Sequence, residues 1–345
     1  MVATELRTQL RTYIGKVNDG LDEFLTDRNP KLLYSYVKYQ LGLVSEDFEP
    51  VKVVKGGKRL RSAIPLLVSK YLGHEDYALY GALSLELFHN FTLVVDDIQD
   101  GDEIRRTRPT LWKLVGAPQA LNGGMILQAL SQEAAMKACS HLPPKEMTDW
   151  LNSFLHLTNR VFEGQHLDIS FESKKDVFTA QYIRMAMSKT SVLLGQAFAQ
   201  SFSLHPKEEI RKLSGPMKQV GEAAGMAFQI QDDILGLWGD KKKTGKPIAS
   251  DLRKHKKTLP IAHALENGSR SAKKLILDSF KGDVSDESAN TILDCLMQTG
   301  SYNYATTQVR EYSSKALSAL ELIDIDKKLK ERLKIIIDNL SIRSS

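Results

Sequence analysis

Phe88-His89-Asn90-Phe91-Thr92-Leu93-Val94-Val95-Asp96-Asp97-Ile98-Gln99-Asp100 is an apolar run that ends in three carboxylates. Read as a helix, it stacks Asp96 and Asp100 at i and i+4 on one face, with Asp97 about a third of a turn round. Carboxylates held that close repel one another unless a cation neutralises them, and a hard divalent ion does this best. For one such cluster a solvated acidic helix end is the simpler reading. A second cluster shifts the balance: Gln229-Ile230-Gln231-Asp232-Asp233-Ile234-Leu235-Gly236 follows the apolar Met226-Ala227-Phe228 and again sets paired aspartates at the end of such a run. Two basic groups accompany them, Gly56-Gly57-Lys58-Arg59-Leu60-Arg61 and Arg105-Arg106. Carboxylates hold metal and guanidinium forks grip phosphate, so the pattern suits metal ions with polyphosphate.

Outward from the first cluster, Asp76 to Asp100 reads as one long helix. Leu6, Leu10, Ile14, Val17, Leu21 and Phe24 recur at three- and four-residue steps, the stripe of an amphipathic first helix. Asn29-Pro30 reads as the cap and first turn of a second helix through Leu41. Gly56-Gly57 breaks the chain before a helix starting near Leu60, which puts Lys58 and Arg61 near a helix N-terminus, where anions are favoured. Arg105 to Pro109 is a connector. Ala120 to Ser140, Pro144 to Phe171 and Asp176 to Leu204 are long helical stretches, the last with a local break at Ser188-Lys189-Thr190. Gly215-Pro216 opens the helix that carries the second aspartate pair. From Gly239 to Lys257 periodicity vanishes and lysines accumulate, the mark of a mobile loop. Helical patterns resume at Leu259, with stops at Gly268 and Gly300, and Leu329, Leu333, Ile336 and Leu340 give the last helix its stripe. No strand alternation and no linker between two compositions is evident. The expectation is all-α, one domain over residues 1–345 with ten or more helices.

Composition narrows the function classes. A hydrophobic content of 42% is enough for a core. The net charge of +5, from 47 basic and 42 acidic residues, is too balanced for a nucleic-acid partner. Cys139 and Cys295 make no disulfide framework, so free thiols in a cytoplasmic protein are expected. No apolar run is read as reaching the length of a membrane span, and the charged segment Met1 to Asp22 lacks the features of a signal peptide.

In order along residues 55 to 260, Gly56-Gly57-Lys58-Arg59-Leu60-Arg61, Asp96-Asp97-Ile98-Gln99-Asp100, Arg105-Arg106, Gly164-Gln165-His166-Leu167-Asp168, Lys189-Thr190, Phe228-Gln229-Ile230-Gln231-Asp232-Asp233 and Gly245-Lys246-Pro247 resemble the motifs of the trans-isoprenyl diphosphate synthases, most of all the archaeal-type geranylgeranyl diphosphate synthases. The resemblance implies a single helical bundle of the isoprenoid synthase type around a central cavity. It implies a Mg²⁺-dependent condensation of isopentenyl diphosphate with an allylic diphosphate, by ionisation, condensation and elimination, in a homodimeric enzyme. It assigns Asp96, Asp100 and, less directly, Asp97 to Mg²⁺, with Asp232 and Asp233 opposite. Three ions would be present with substrate bound, and Mn²⁺ could substitute. Arg105, Lys189, Gln229, Lys246 and Lys256 would hold the allylic diphosphate, with oxygen dipoles of Thr190 and Gln229 turned toward the nascent cation. Lys58, Arg61, His89 and Arg106 would hold isopentenyl diphosphate in a metal-free pocket.

Phe91, five residues before Asp96, lies roughly 7.5 Å below it along the helix, with Phe88 a turn further. An aromatic at the Phe91 position resembles a floor that stops growth near C20, so geranylgeranyl diphosphate is the expected main product, with farnesyl or C25 products as alternatives. Three departures stand out. Gly236 occupies the place of a frequent third aspartate, Thr107 that of a glycine after the arginine pair, and Lys254-His255 that of an acidic residue and a glycine before Lys256.

Blander readings remain beside these: His89, Phe88 and Phe91 as core, Arg105-Arg106 as surface charge, Gln165 and Asp168 as local hydrogen-bonding groups, and Lys241 to Lys257 as a solvated loop rather than a lid. Glu86-Leu87-Phe88-His89 and Glu163-Gly164-Gln165-His166 also carry the Glu-x-x-His spacing of di-iron bundles, with Glu133 and Glu222 as further donors. That oxidoreductase reading leaves the aspartate and arginine clusters unexplained. A non-catalytic prenyl-diphosphate-binding subunit would be expected to lose first-cluster aspartates, and all three are present. A terpene cyclase would have no use for Lys58, Arg61 and Arg106.

Overall fold

The apolar stripe of the first helix is realised in α1 (Val2–Phe24), where Leu6, Val17, Leu21 and Phe24 are buried with Tyr13. The computed structural model describes residues 2–51, 57–75, 77–239 and 249–341. The next helices are α2 (Lys31–Leu41), closed by Gly42 in the left-handed region, and α3 (Leu60–Leu72), closed the same way by Gly73. Then come α4 (Ala78–Gln99), α5 (Leu111–Val115), α6 (Ala117–Cys139), α7 (Pro144–Ser173) and α8 (Thr179–Ala186). A π turn, Met187–Ser191, joins α8 to α9 (Val192–Ser203), where a helix break was expected; α10 (Glu208–Arg211) and α11 (Ser214–Trp238) follow. The remainder is α12 (Ser250–Arg253), α13 (Leu259–Asn267), α14 (Arg270–Ser279), α15 (Asp286–Gln298), α16 (Ser301–Glu321) and α17 (Lys327–Ser341). Ser269 and Ser285 cap α14 and α15 through their hydroxyls.

The all-α expectation holds. The Arg105–Pro109 connector is nonetheless a minimal antiparallel hairpin, with Ile104 opposite Pro109 and Arg105 opposite Arg108. Its two-residue turn is Arg106-Thr107, both at positive φ (53° and 62°), the geometry that matches the twist of paired strands.

The chain falls into two compact units, residues 1–155 with 197–215, and residues 156–196 with 216–345. In the first, α4 packs against α6 most extensively, and against α3 and α1. Gly124 permits the close approach of α6, since a β-carbon there would lie 3.4 Å from Val94 and 3.6 Å from Phe91. Contrary to the expectation that no apolar run reaches that length, α4 is long and apolar enough to cross a membrane; most of its apolar stretch is buried within the fold. In the second unit, one core joins Phe171, Tyr182, Met185, Met226, Ile230, Leu259 and Val309, and another joins Leu237, Leu252, Ile261, Ile276, Ile292 and Leu296. The stripe Leu329, Leu333, Ile336 and Leu340 of α17 is buried.

Candidate active site

The first aspartates sit at the C-terminal end of α4, and the Asp100 N–H bonds the Asp96 carbonyl at 2.8 Å, so the i, i+4 relation is real. A helix C-terminus carries partial negative charge, so three carboxylates there draw cations strongly. Arg105 answers part of that charge. Its Nε donates to Asp97 Oδ1 at 2.5 Å, and a terminal nitrogen lies 3.3 Å from Asp96 Oδ2 and 4.0 Å from Asp102. Asp97 is buried, its Oδ2 has no hydrogen-bond partner, and burial pushes its carboxyl up to about 6. Among the described residues no three carboxylate, imidazole or thiolate groups converge in a ready-made cage. Mg²⁺ does not need one, because it takes one or two carboxylates and completes its shell with water and phosphate oxygens. The stacked Asp96 and Asp100, with an unsatisfied Asp97 oxygen beside them, fit such an ion.

The basic residues expected to hold the second diphosphate gather in the same unit. Gly57 has φ +86°, and a β-carbon there would lie 2.4 Å from Cζ of Arg106, so the Arg106 guanidinium rests on the bare glycine. Arg61 lies 3.4 Å from His89 Nε2. A guanidinium can only donate, which makes Nε2 the acceptor and places the imidazole proton on Nδ1, an atom with no hydrogen-bond partner. Burial, then Arg61 and Arg106, hold His89 well below the ordinary histidine range, so it is a neutral donor near pH 7. Lys58 is exposed just before α3.

In the second unit the π turn gathers the candidate site residues. Its backbone is pressed by two glycines: a β-carbon on Gly164 of α7 would lie 2.3 Å from Lys189 N, and one on Gly225 of α11 would lie 2.7 Å from Ser191 Cα. Lys189 Nζ reaches Asp168 at 2.5 Å. The Thr190 hydroxyl donates to Gln229 Oε1 at 2.7 Å, Gln229 Nε2 donates to Asp233 Oδ1 at 2.9 Å, and the Leu259 N–H donates to Asp233 Oδ2 at 3.0 Å. Asp233 is therefore buried and engaged through both oxygens, while Asp232 is exposed. Burial pushes Asp233 up to about 7. Phe88 is fully enclosed, its ring 6.3 Å from that of Phe154, whereas Phe91 is half-buried. Lys256 is half-buried, with its N–H on the Asp251 carbonyl. Lys246, with the rest of 240–248, lies outside the described residues.

The glutamates of the di-iron reading have other partners. Glu86 pairs with Arg59 at 2.7 Å, Glu133 with Arg28 at 2.8 Å, and Glu222 lies 3.7 Å from Arg160; Glu163 and His166 are exposed. Sequence reasoning missed the roles of three residues. Arg59 and Glu86 form a buried pair, for which the only signal was an arginine flanked by two other cations. Asp251 is the third: a β-carbon on Gly236 would lie 2.0 Å from its Oδ2, so its carboxylate fills the space one turn beyond Asp232. The missing aspartate at 236 was the only hint.

A helical fold with aspartate pairs ending two apolar runs and a cluster of basic residues is the pattern of a prenyltransferase, and the comparisons bear that class out. Residues 49–296 match the polyprenyl synthetase family model, and the chain belongs to that family. It is 35% identical over 311 residues to a geranylgeranyl pyrophosphate synthase of Geoglobus acetivorans, covering 89% of this chain and 90% of that one. It is 33% identical over 313 residues to a (2E,6E)-farnesyl diphosphate synthase of Mycobacterium tuberculosis, covering 87% and 83%. The crystal structure of the geranylgeranyl pyrophosphate synthetase from Pyrococcus horikoshii superposes over the whole of both chains with a TM-score of 0.88 at 30% identity. The protein is a trans-prenyl diphosphate synthase.

Proposed function

We propose that this enzyme extends a short allylic diphosphate with isopentenyl diphosphate, using Mg²⁺, and releases mainly geranylgeranyl diphosphate. One observation carries the reading: a single unit holds both the carboxylate cluster Asp96, Asp97 and Asp100 and a separate basic group, Lys58, Arg61, His89 and Arg106. Two anion sites of different character suit one diphosphate that leaves and one that stays.

Asp96 and Asp100 on α4, and Asp232 on α11, hold the metal, with three ions in the loaded enzyme and Mn²⁺ able to replace Mg²⁺. Bound metal supplies Lewis-acid stabilisation of the charge that builds on the departing diphosphate. Arg105, Lys189, Lys246 and Lys256 grip that diphosphate, Arg105 exchanging part of its carboxylate pairing for phosphate. Thr190 acts through orientation. Its proton is committed to Gln229, so its remaining lone pairs face outward as a dipole toward the allylic cation. Lys58, Arg61, Arg106 and the Nδ1–H of His89 keep isopentenyl diphosphate fixed while its double bond attacks. The enzyme acts as a homodimer, in keeping with the family resemblance.

Phe91 is the floor of the tail pocket and Phe88 the layer beneath it, since Phe91 is the less enclosed of the two. Phe91→Ala is expected to shift the main product from C20 to C25 or longer, read by chain-length separation; an unchanged C20 product rejects the floor. The reaction itself is tested with radiolabelled isopentenyl diphosphate and each short allylic primer. Elongated diphosphates support the reading, and a cyclic hydrocarbon overturns it.

A further inference from the structure

We propose that the buried Arg59–Glu86 pair is a positioning device for the isopentenyl diphosphate site, fixing Lys58, Arg61 and His89 in one arrangement. The inference rests on the assignment of those three residues to that substrate. Arg59 is the residue before α3 and has φ 47°, ψ 26°, a left-handed conformation that is unfavourable for a non-glycine residue. Its side chain holds it there. Nε donates to Asn18 Oδ1 on α1 at 2.7 Å, one terminal nitrogen donates to Glu86 Oε1 on α4 at 2.7 Å, and the other donates to the Leu41 carbonyl at the end of α2. One guanidinium thus ties three helices to the start of a fourth.

Glu86 is equally committed. Its Oε2 accepts from the Ser62 hydroxyl at 2.8 Å, and its Oε1 also accepts from Asn90 Nδ2 at 2.9 Å. Burial would raise its carboxyl, but Arg59 and then His89 hold it at about 2, so the pair stays ionised throughout the physiological range. Both side chains are almost fully enclosed, at 1% and 3% exposure. Enclosed to that degree, they are placed to act through their neighbours. Those neighbours are the residues assigned to the substrate: Lys58 precedes Arg59, Arg61 lies two residues on, and His89 follows Glu86 by one helical turn on α4. The pair therefore locks the α3 start, which presents two of the cations, to the stretch of α4 that presents the imidazole.

A buried ion pair is a poor source of net stability, and well-packed apolar residues of similar volume often replace one without loss. That property separates positioning from plain support. The double variant Arg59→Met/Glu86→Leu is expected to melt within a few degrees of the parent while the KM for isopentenyl diphosphate rises about tenfold. The KM for the allylic diphosphate is expected to move less than about twofold and kcat to be largely kept, because Arg105 and Lys189 are untouched. A double variant with parental stability and parental isopentenyl KM overturns the proposal. Should it fail to fold, Asn18→Ala removes a single neutral contact and keeps the pair. A rise of about threefold in isopentenyl KM alone then supports the proposal, and no change overturns it. Lys58→Ala and Arg61→Ala serve as controls. If neither alters isopentenyl KM, the site assignment itself falls; if both do while the pair variants do not, only the positioning role falls.

Discussion

Beside the first aspartates buried charge meets opposite charge, and beside the second it meets neutral dipoles. Near the first aspartates, Arg105 holds Asp97 and Asp96, and Arg59 holds Glu86. In the second unit, Asp233 is met by an amide and a backbone N–H, and Lys257 by the carbonyls of Glu172 and His255 with its ammonium 4.2 Å from the Phe280 ring. The difference divides the labour within each acidic motif. In Asp96-Asp97-Ile98-Gln99-Asp100 the Arg105 guanidinium would, in the proposed mechanism, yield its carboxylates to a metal ion. In Asp232-Asp233 the buried member is a fixed part of the scaffold that orients Gln229 and Thr190, and the exposed member is the one the proposed mechanism gives to metal.

The largest expected effect tests that division directly. Asp96→Ala should lower kcat by at least about 10³-fold, as loss of a group stabilising developing charge does, while the melting temperature stays level or rises because one repelling carboxylate is gone. Asp233→Ala should do the reverse to the fold. Leaving the Gln229 amide and the Leu259 N–H without acceptors should cost about 2–3 kcal/mol of unfolding free energy in denaturant melts. An Asp96→Ala enzyme that still turns over, or an Asp233→Ala protein that melts like the parent, would erase the contrast.

Gly236 sharpens it. Placing an aspartate there should not improve this enzyme, because Asp251 already occupies the space a side chain at 236 would enter. Gly236→Asp is expected to destabilise by up to about 3 kcal/mol through overpacking and like-charge repulsion. Asp251→Gly in the same chain should recover most of that loss in thermal melts; if the single variant is as stable as the parent, the carboxylate does not stand there.

Much of this was legible in the sequence because it depended on local period and spacing. The stripes of α1 and α17, the helix ending in Asp96 to Asp100, and the glycine break before Leu60 all follow from interactions within a few residues. The partners of those residues did not follow. That Asp233 would be enclosed and Asp232 exposed depends on which face of α11 packs on α13, and adjacent aspartates look alike in one dimension. The π turn at Met187–Ser191 was readable only as an interruption, since its cause is the backbone of α7 and α11 approaching at Gly164 and Gly225, far away in the chain. Arg59 was hidden by its neighbours: three cations in four residues suggested one phosphate grip, and the fold turns the middle one inward.

Lys257 gives the contrast a pH signature. Burial lowers its ammonium from the usual lysine range to about 8. Below pH 8 both folded and unfolded chains carry the charge, and the folded one bears the desolvation cost. Between about 8 and 10.5 the unfolded chain binds the extra proton, so stability rises with pH across that window. Lys257→Met should abolish that rise and stabilise the protein by about 2 kcal/mol at pH 7, after the lost contact with Phe280 is subtracted. A parental slope in the variant would assign the rise to another group.

The smallest effect lies in the hairpin that aims the arginine pair. Thr107 holds φ 62°, where a β-branched side chain is strained, and its hydroxyl bonds to the neighbouring Arg106 carbonyl at 2.6 Å. Glycine relieves that strain but gives the unfolded chain more freedom, so the two terms oppose and the net gain from Thr107→Gly should be about 1 kcal/mol or less. Activity should separate the terms further. If the turn merely tolerates threonine, kcat and both KM values are unchanged and only the melting temperature rises. If threonine keeps Arg106 pressed against Gly57, the freer turn raises KM for isopentenyl diphosphate despite the greater stability. Because Arg105 is fastened to Asp97 independently of the turn, the KM for the allylic substrate should hold in either case, and a rise there would show that the two arginines are not separately anchored.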